Sequence, residues 1–201
     1  MTEADLDAVA ALAVIGFPDH FEGRPCFANR LALYPAGCFV LAENPVIPST
    51  VEGSRRASEK HESQEGSKRK PDGIPRLRFA PLGMTAGYLI AYPSLADDPP
   101  SLNILLDALP ADPAVMYLHD LALHPDARGA GRAAEIIEHL VEITRAAGLP
   151  AIALVAVNHA AAFWERHEFE VRETPALRRK LASYGPDARY MVRALSRAVI
   201  G

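Results

Sequence analysis

Cysteine is nearly absent from this chain, with Cys26 and Cys38 the only two in 201 residues. They are too few and too unpatterned for a disulfide framework or a zinc site. An excess of one charge is also lacking. The net charge of −4 excludes the basic footprint of a nucleic-acid binder and gives no electrostatic pull towards a membrane surface. No apolar run reaches the ~20 residues that span a bilayer. Met1-Thr2-Glu3-Ala4-Asp5 is acidic where a secretory signal is basic. The expectation is a cytoplasmic protein. His124, His139, His159 and His167 share no ligand spacing, so no metal is expected. What is present is ordinary: 49% hydrophobic and 23% charged residues, in a length that suits one domain.

Along the chain, Thr2 with Asp5 forms a capping pattern, and Leu6, Val9, Ala10 and Ala13 recur at helical spacing until Pro18. A second helix is expected over Glu22–Leu33, then a turn at Pro35-Ala36-Gly37 and a strand over Cys38–Glu43. Residues 48–76 mix charge, Ser and Gly with almost nothing to bury. Such a stretch cannot offset its ordering entropy, and it reads as a flexible insertion in a single domain covering 1–201. A strand over Gly87–Tyr92 should stop at Pro93, and Leu102–Leu109 has the composition of a short helix. Ala188–Leu195 reads as a final strand.

The informative stretch starts at Val115. Val115–Leu123 is a strand candidate with His119 and Asp120 inside an otherwise apolar run. His124-Pro125-Asp126 breaks it, and Arg128-Gly129-Ala130-Gly131-Arg132-Ala133 follows. Ala133, Ile136, Ile137, Leu140, Val141 and Thr144 then form one helical stripe, closed by Gly148 and Pro150. Ala151–Val157 is a short apolar run suited to a doubly buried strand. A glycine-bearing loop thus joins a strand to a helix N-terminus, where free amides and the helix dipole favour an anion. Two glycines let a phosphate approach the backbone, and Arg128 and Arg132 add positive charge. No Gly-Lys-Ser/Thr follows and no Gly-x-Gly-x-x-Gly is present, so neither a P-loop nor a dinucleotide fingerprint applies.

Arg128-x-x-Gly131-x-Ala133, following Leu-Ala-Leu-His-Pro, resembles the acetyl-CoA signature of the GNAT acetyltransferases. Asn158-x-x-Ala161 with Phe163-Trp164-Glu165-Arg166-His167-Glu168-Phe169 resembles the second signature of that family. Within the family, Tyr117–Leu123 is most similar to the arylalkylamine N-acetyltransferase branch, which places a histidine where His119 stands. The resemblance implies an α+β fold with a curved mixed sheet flanked by helices, in which the strands at 115–123 and 151–157 run parallel and splay. It implies acetyl-CoA as acyl-donor cosubstrate in the splay. Its pantetheine would pair with Leu121, Ala122 and Leu123, and its pyrophosphate would lie on Arg128, Gly129, Ala130, Gly131, Arg132 and Ala133. Asn158, Phe163 and Trp164 would flank the pantetheine arm. Two departures stand out. Trp164 replaces a tyrosine that protonates the departing thiolate, which indole cannot do, and Glu168 replaces a glycine.

Acetyl transfer to an amine needs a group that removes the amine proton, and a histidine near neutral pH suits the task. His119 is the first choice, with a backbone-bonded buried histidine as the alternative. Asp120 is a second catalytic candidate or a structural acceptor. In regular alternation it faces away from His119, unless a bulge intervenes. Tyr184 or Tyr190 is the candidate replacement acid, with Tyr184 preferred because it lies in the turn Tyr184-Gly185-Pro186-Asp187. The expected acceptor is a small-molecule primary amine, on a monomer or homodimer, with no nucleic-acid or membrane partner. A protein lysine or N-terminus, and a non-catalytic acyl-CoA-binding module, are the alternatives.

Overall fold

The computed structural model describes residues 1–20, 22–42, 85–129 and 131–196. The expected insertion at 48–76 lies outside these residues, as does Ala130. Among the described residues there are five α-helices and six strands: α1 Leu6–Gly16, α2 Arg24–Leu33, β1 Cys38–Ala42, β2 Thr85–Ser94, β3 Val115–Leu123, α3 Arg132–Ala146, β4 Ala151–Ala156, α4 Ala161–Glu165, β5 Glu170–Val171, α5 Pro175–Leu181 and β6 Arg189–Ala194. The strands make one mixed sheet in the order β1-β2-β3-β4-β6-β5. Every neighbouring pair is antiparallel except β3 and β4. Helices cover both faces. One core gathers Leu6, Val9, Phe27, Tyr88, Ile90 and Tyr117 beneath α1 and α2. The other gathers Ile137, Leu140, Leu118, Leu154 and Met191 beneath α3. This is the α+β architecture that the sequence resemblance implies.

Local chemistry explains most boundaries. The Thr2 amide and hydroxyl donate to the Asp5 carboxylate at 2.6 and 2.9 Å, fixing the start of the first helical segment. Gly148 adopts φ +72° as α3 ends, and Leu149 N donates back to Thr144 O, the six-to-one bond of a glycine-closed helix. Two expectations fail for physical reasons. β2 runs through Pro93 to Ser94 because β1 reaches only as far as Ile90 on that edge, so no ladder bond there needs a proline N–H. Residues 102–109 form no helix. Their backbone is claimed by side chains of α2 and its preceding loop: Asn29 bonds Leu106 through both its amide nitrogen and its carbonyl oxygen, Arg30 donates to Ile104 O, and Glu22 accepts from Asn103 N.

The end of α4 gives a testable detail. Phe169 N donates to Trp164 O, and Glu168, between the chain's return and the helix, sits at φ +65°. A left-handed non-glycine residue costs ~1–2 kcal/mol, which explains why glycine is usual at this point in the resembled signature. Its carboxylate reaches Arg193 at 2.6 Å, but it is largely exposed and Arg193 also holds Glu138 at 2.9 Å. An exposed pair contributes ~0–1 kcal/mol. Glu168→Gly is therefore expected to raise the urea midpoint slightly, by the equivalent of about 0.5 kcal/mol. A lowered midpoint would show that the Arg193 pair outweighs the backbone strain.

Candidate active site

β3 and β4 pair only at Met116–Ile152, Tyr117–Ala153 and Leu118–Leu154. Beyond Leu118 the two strands part, and among the described residues the β3 edge from His119 to Leu123 has no strand partner on that side. A cavity of about 490 Å³ fills the gap. Leu118–Leu123 form one wall, and Leu154, Val155, Val157 and Asn158 form the other. Arg128, Gly129 and Ala133 close one end, with Ala160, Phe163 and Trp164 beside β4 and Gly16 and Phe17 covering from α1. Most of the residues assigned to the acyl-donor site by resemblance thus meet in one cavity. Gly131 and Arg132 are not among its walls but stand at the start of α3 next to it.

The loop geometry suits an anion. Gly129 and Gly131 hold φ of +94° and +75°, and a Cβ at either would meet nothing within 4 Å. Both glycines are required by backbone conformation, and both leave open space beside the first turn of α3. Arg128 Nε donates to Leu123 O at 3.3 Å, which holds the guanidinium over the strand end. Asn158 and His159 both lie at positive φ, 53° and 59°, a turn pinned by the His159 amide donating to Asp187 at 2.6 Å. Trp164 stacks edge-on against Phe163 and Phe169 while lining the cavity, so it is both core and wall.

The inner end gathers the titratable side chains. The register between β2 and β3 slips at Ile90/Ala91: Ile90 lies opposite Asp120, and Ala91 opposite Leu118. His119 is the extra residue of a bulge. Tyr117 and His119 therefore face α1 and α2, and so does Asp120, because the alternation is reset at the bulge. This corrects the expectation that Asp120 points away from His119. Tyr88 donates to Asp120 Oδ2 at 2.5 Å, and Tyr92 OH lies 3.4 Å from His119 Nδ1.

Glu22, which sequence reasoning did not single out, also reaches this end of the cavity. Its Oε2 lies 2.6 Å from His119 Nε2, with both side chains about 95% buried. Burial alone pushes the Glu22 carboxyl up; hydrogen bonding and charge from His119, the Asn103 amide and Arg30 more than reverse this and hold it below its usual value. Asp120 moves the other way. Burial is the largest cause, aided by the Glu22 charge and opposed by Tyr88, His119 and the Leu121 amide, and the carboxyl is pushed up to about 7. Tyr184, the candidate acid, joins His119 and Asp120 around a second, smaller cavity rather than the first. Its hydroxyl donates to Pro100 O, and burial with the Glu22 charge pushes it up to about 12. Its proton is already committed.

Residues 82–169 match the acetyltransferase (GNAT) family model. Over that stretch the chain is similar to the GNAT acetyltransferases. No curated protein sequence matches the chain. Among solved structures, a GNAT-like decarboxylase, GphF, in complex with isobutyryl-CoA superposes with a TM-score of 0.62 at 15% identity, covering 98% of this chain and 97% of that one. Ard1 from Thermoplasma volcanium gives 0.58 at 11% identity, covering 98% and 95%. A NatC complex bound to Gag peptide and CoA gives 0.57 at 14%, covering 97% and 93%. At such identities these likenesses bear on the fold. None of the three is an arylalkylamine N-acetyltransferase. Among the described residues no group of His, Cys, Asp and Glu is placed to hold a metal, and no helix is long and apolar enough to cross a membrane.

Proposed function

We propose that the protein is an acetyl-CoA-dependent N-acetyltransferase that acts on a primary amine by direct transfer. The observation that carries this reading is the cavity running from the Arg128–Ala133 loop, between the parted strands, to His119 and Asp120. When bound there, acetyl-CoA supplies an activated acetyl thioester. The chain does the rest. The α3 N-terminus and Arg128 hold the pyrophosphate, and the unpaired edge of β3 aligns the arm.

Asp120 takes the proton from the incoming ammonium, its raised pKa matching neutral working pH. His119 was the first choice from sequence, but its Nε2 is engaged by Glu22 and its Nδ1 faces Tyr92. It serves here as the group that fixes the polar end of the site. The amine nitrogen then bonds to the acetyl carbon as the carbon–sulfur bond breaks. The second proton shed by nitrogen balances the one gained by sulfur, and the Trp164 indole does not relay it.

The test is release of free thiol from acetyl-CoA across an amine panel, with the acetylated product identified by mass. Amine-dependent thiol release is expected. Binding of acetyl-CoA without turnover of any amine would favour the non-catalytic module. Loss of CO2 from a carboxyacyl-CoA without any amine would favour the decarboxylase likeness.

A further inference from the structure

A cavity of about 50 Å³ adjoins the large one at its inner end. The two share Phe17, His119, Asp120, Val155 and Val157. On its outer side the small cavity shares His20 and Tyr184 with an open depression of about 510 Å³. It is a throat between the donor cavity and solvent.

Three hydrogen bonds close a collar around this throat. His20 Nε2 lies 2.6 Å from Tyr184 O, tying the α1–α2 loop to the turn after α5. The Tyr184 hydroxyl donates to Pro100 O, tying that turn to the β2–β3 loop. Asn103 N donates to Glu22 Oε1 at 2.6 Å, tying the β2–β3 loop back to the α1–α2 loop. Each of the three segments is bonded to the other two. The bonds link residues far apart in sequence and leave the opening little freedom to widen.

We propose that this collar selects an unbranched primary alkylamine, which enters end-on as an aminomethyl group. This rests on the acetyl-transfer reading. One water needs roughly 10–15 Å³ of such space, so the throat holds about three to five heavy atoms. A CH2–NH3⁺ terminus and the next carbon fit. An α-branched amine places a second substituent on the carbon beside nitrogen, where the collar stands. A peptide N-terminus has the same problem, since its Cα carries both a side chain and a carbonyl. The lining agrees: Phe17, Leu102, Val155 and Val157 suit methylenes, and Asp120, with Glu22 behind His119, suits the ammonium end.

The experiment compares kcat/KM for n-butylamine and 2-aminobutane with acetyl-CoA. It adds an N-blocked peptide with one internal lysine and a lysine-free peptide with a free N-terminus. At least a hundredfold preference for n-butylamine over 2-aminobutane, and for the lysine peptide over the N-terminal one, is expected. The faster of n-butylamine and the lysine peptide identifies the source of the aminoalkyl group. His20→Ala and Leu102→Ala, which loosen the collar and thin its wall, should each cut the preference at least tenfold, with acetyl-CoA affinity measured to confirm folding. Comparable rates for branched and unbranched amines would overturn the proposal while leaving acetyl transfer standing, as would a preference unmoved in both variants. Bound acetyl-CoA with no amine consumed at all would instead overturn the transferase reading beneath it.

Discussion

Asp120→Asn is expected to lower kcat/KM by about 10²- to 10⁴-fold, the range for losing a general base. In the unaltered protein the rate should rise with pH along a limb centred near 7, where the buried carboxyl ionises. Asparagine removes that limb. Stability should move the other way. The ordinary value for aspartate is 3.8, whereas the folded protein keeps this proton until about pH 7. Between those values only the unfolded chain is ionised, so the group increasingly favours unfolding as pH rises, and the effect is complete above about 7. Asparagine at this position keeps an acceptor for the Tyr88 hydroxyl and escapes the penalty. The variant should be at least as stable as the parent at pH 8, so lost activity cannot be ascribed to unfolding. An Asp120→Asn protein with parental rate and an unchanged limb would put the base elsewhere, with His119 first in line. His119→Ala is the poorer probe. It removes one of the partners that hold the buried Glu22 carboxylate, so lost activity could not be separated from lost stability.

Gly131→Glu should weaken acetyl-CoA binding at least tenfold, equivalent to about 1.4 kcal/mol, by placing negative charge beside the pyrophosphate position. The residue sits at φ +75° in open space, so any side chain there strains the backbone without a clash. Gly131→Ala carries the same strain and no charge. The difference between the two variants by calorimetry isolates the electrostatic part, and high salt should shrink it. Equal affinities for the glutamate and alanine variants would mean that the anion lies away from the start of α3.

The strand, loop, helix and strand from Val115 to Ala156 could be read from sequence because each piece declares itself locally. The stripe of α3 repeats within fifteen residues, its ends carry glycine and proline, and the arginine-glycine loop is contiguous. The placement of Asp120 could not be read. Its face is set by a one-residue slip against β2, some thirty positions earlier, and nothing in Val-Met-Tyr-Leu-His-Asp-Leu-Ala-Leu distinguishes a bulged strand from a regular one. Glu22 was hidden for a similar reason. It looked like the first residue of a helix, and only the fold brings it to His119, ninety-seven residues away. The collar is wholly long-range. The missing helix at 102–109 belongs with it, since the same Asn103, Ile104 and Leu106 backbone groups that a helix would need are bonded to Glu22, Arg30 and Asn29.

The central claim is that the gap between β3 and β4 is an acyl-CoA site opening onto Asp120. A crystal structure of the protein with bound CoA tests it most directly. The account predicts pyrophosphate oxygens on the backbone amides of residues 129–133, the pantetheine arm alongside Leu121–Leu123, and the sulfur at the inner end near Asp120 and His119. CoA bound with its pyrophosphate away from the start of α3, or with its sulfur directed away from Asp120, would contradict it.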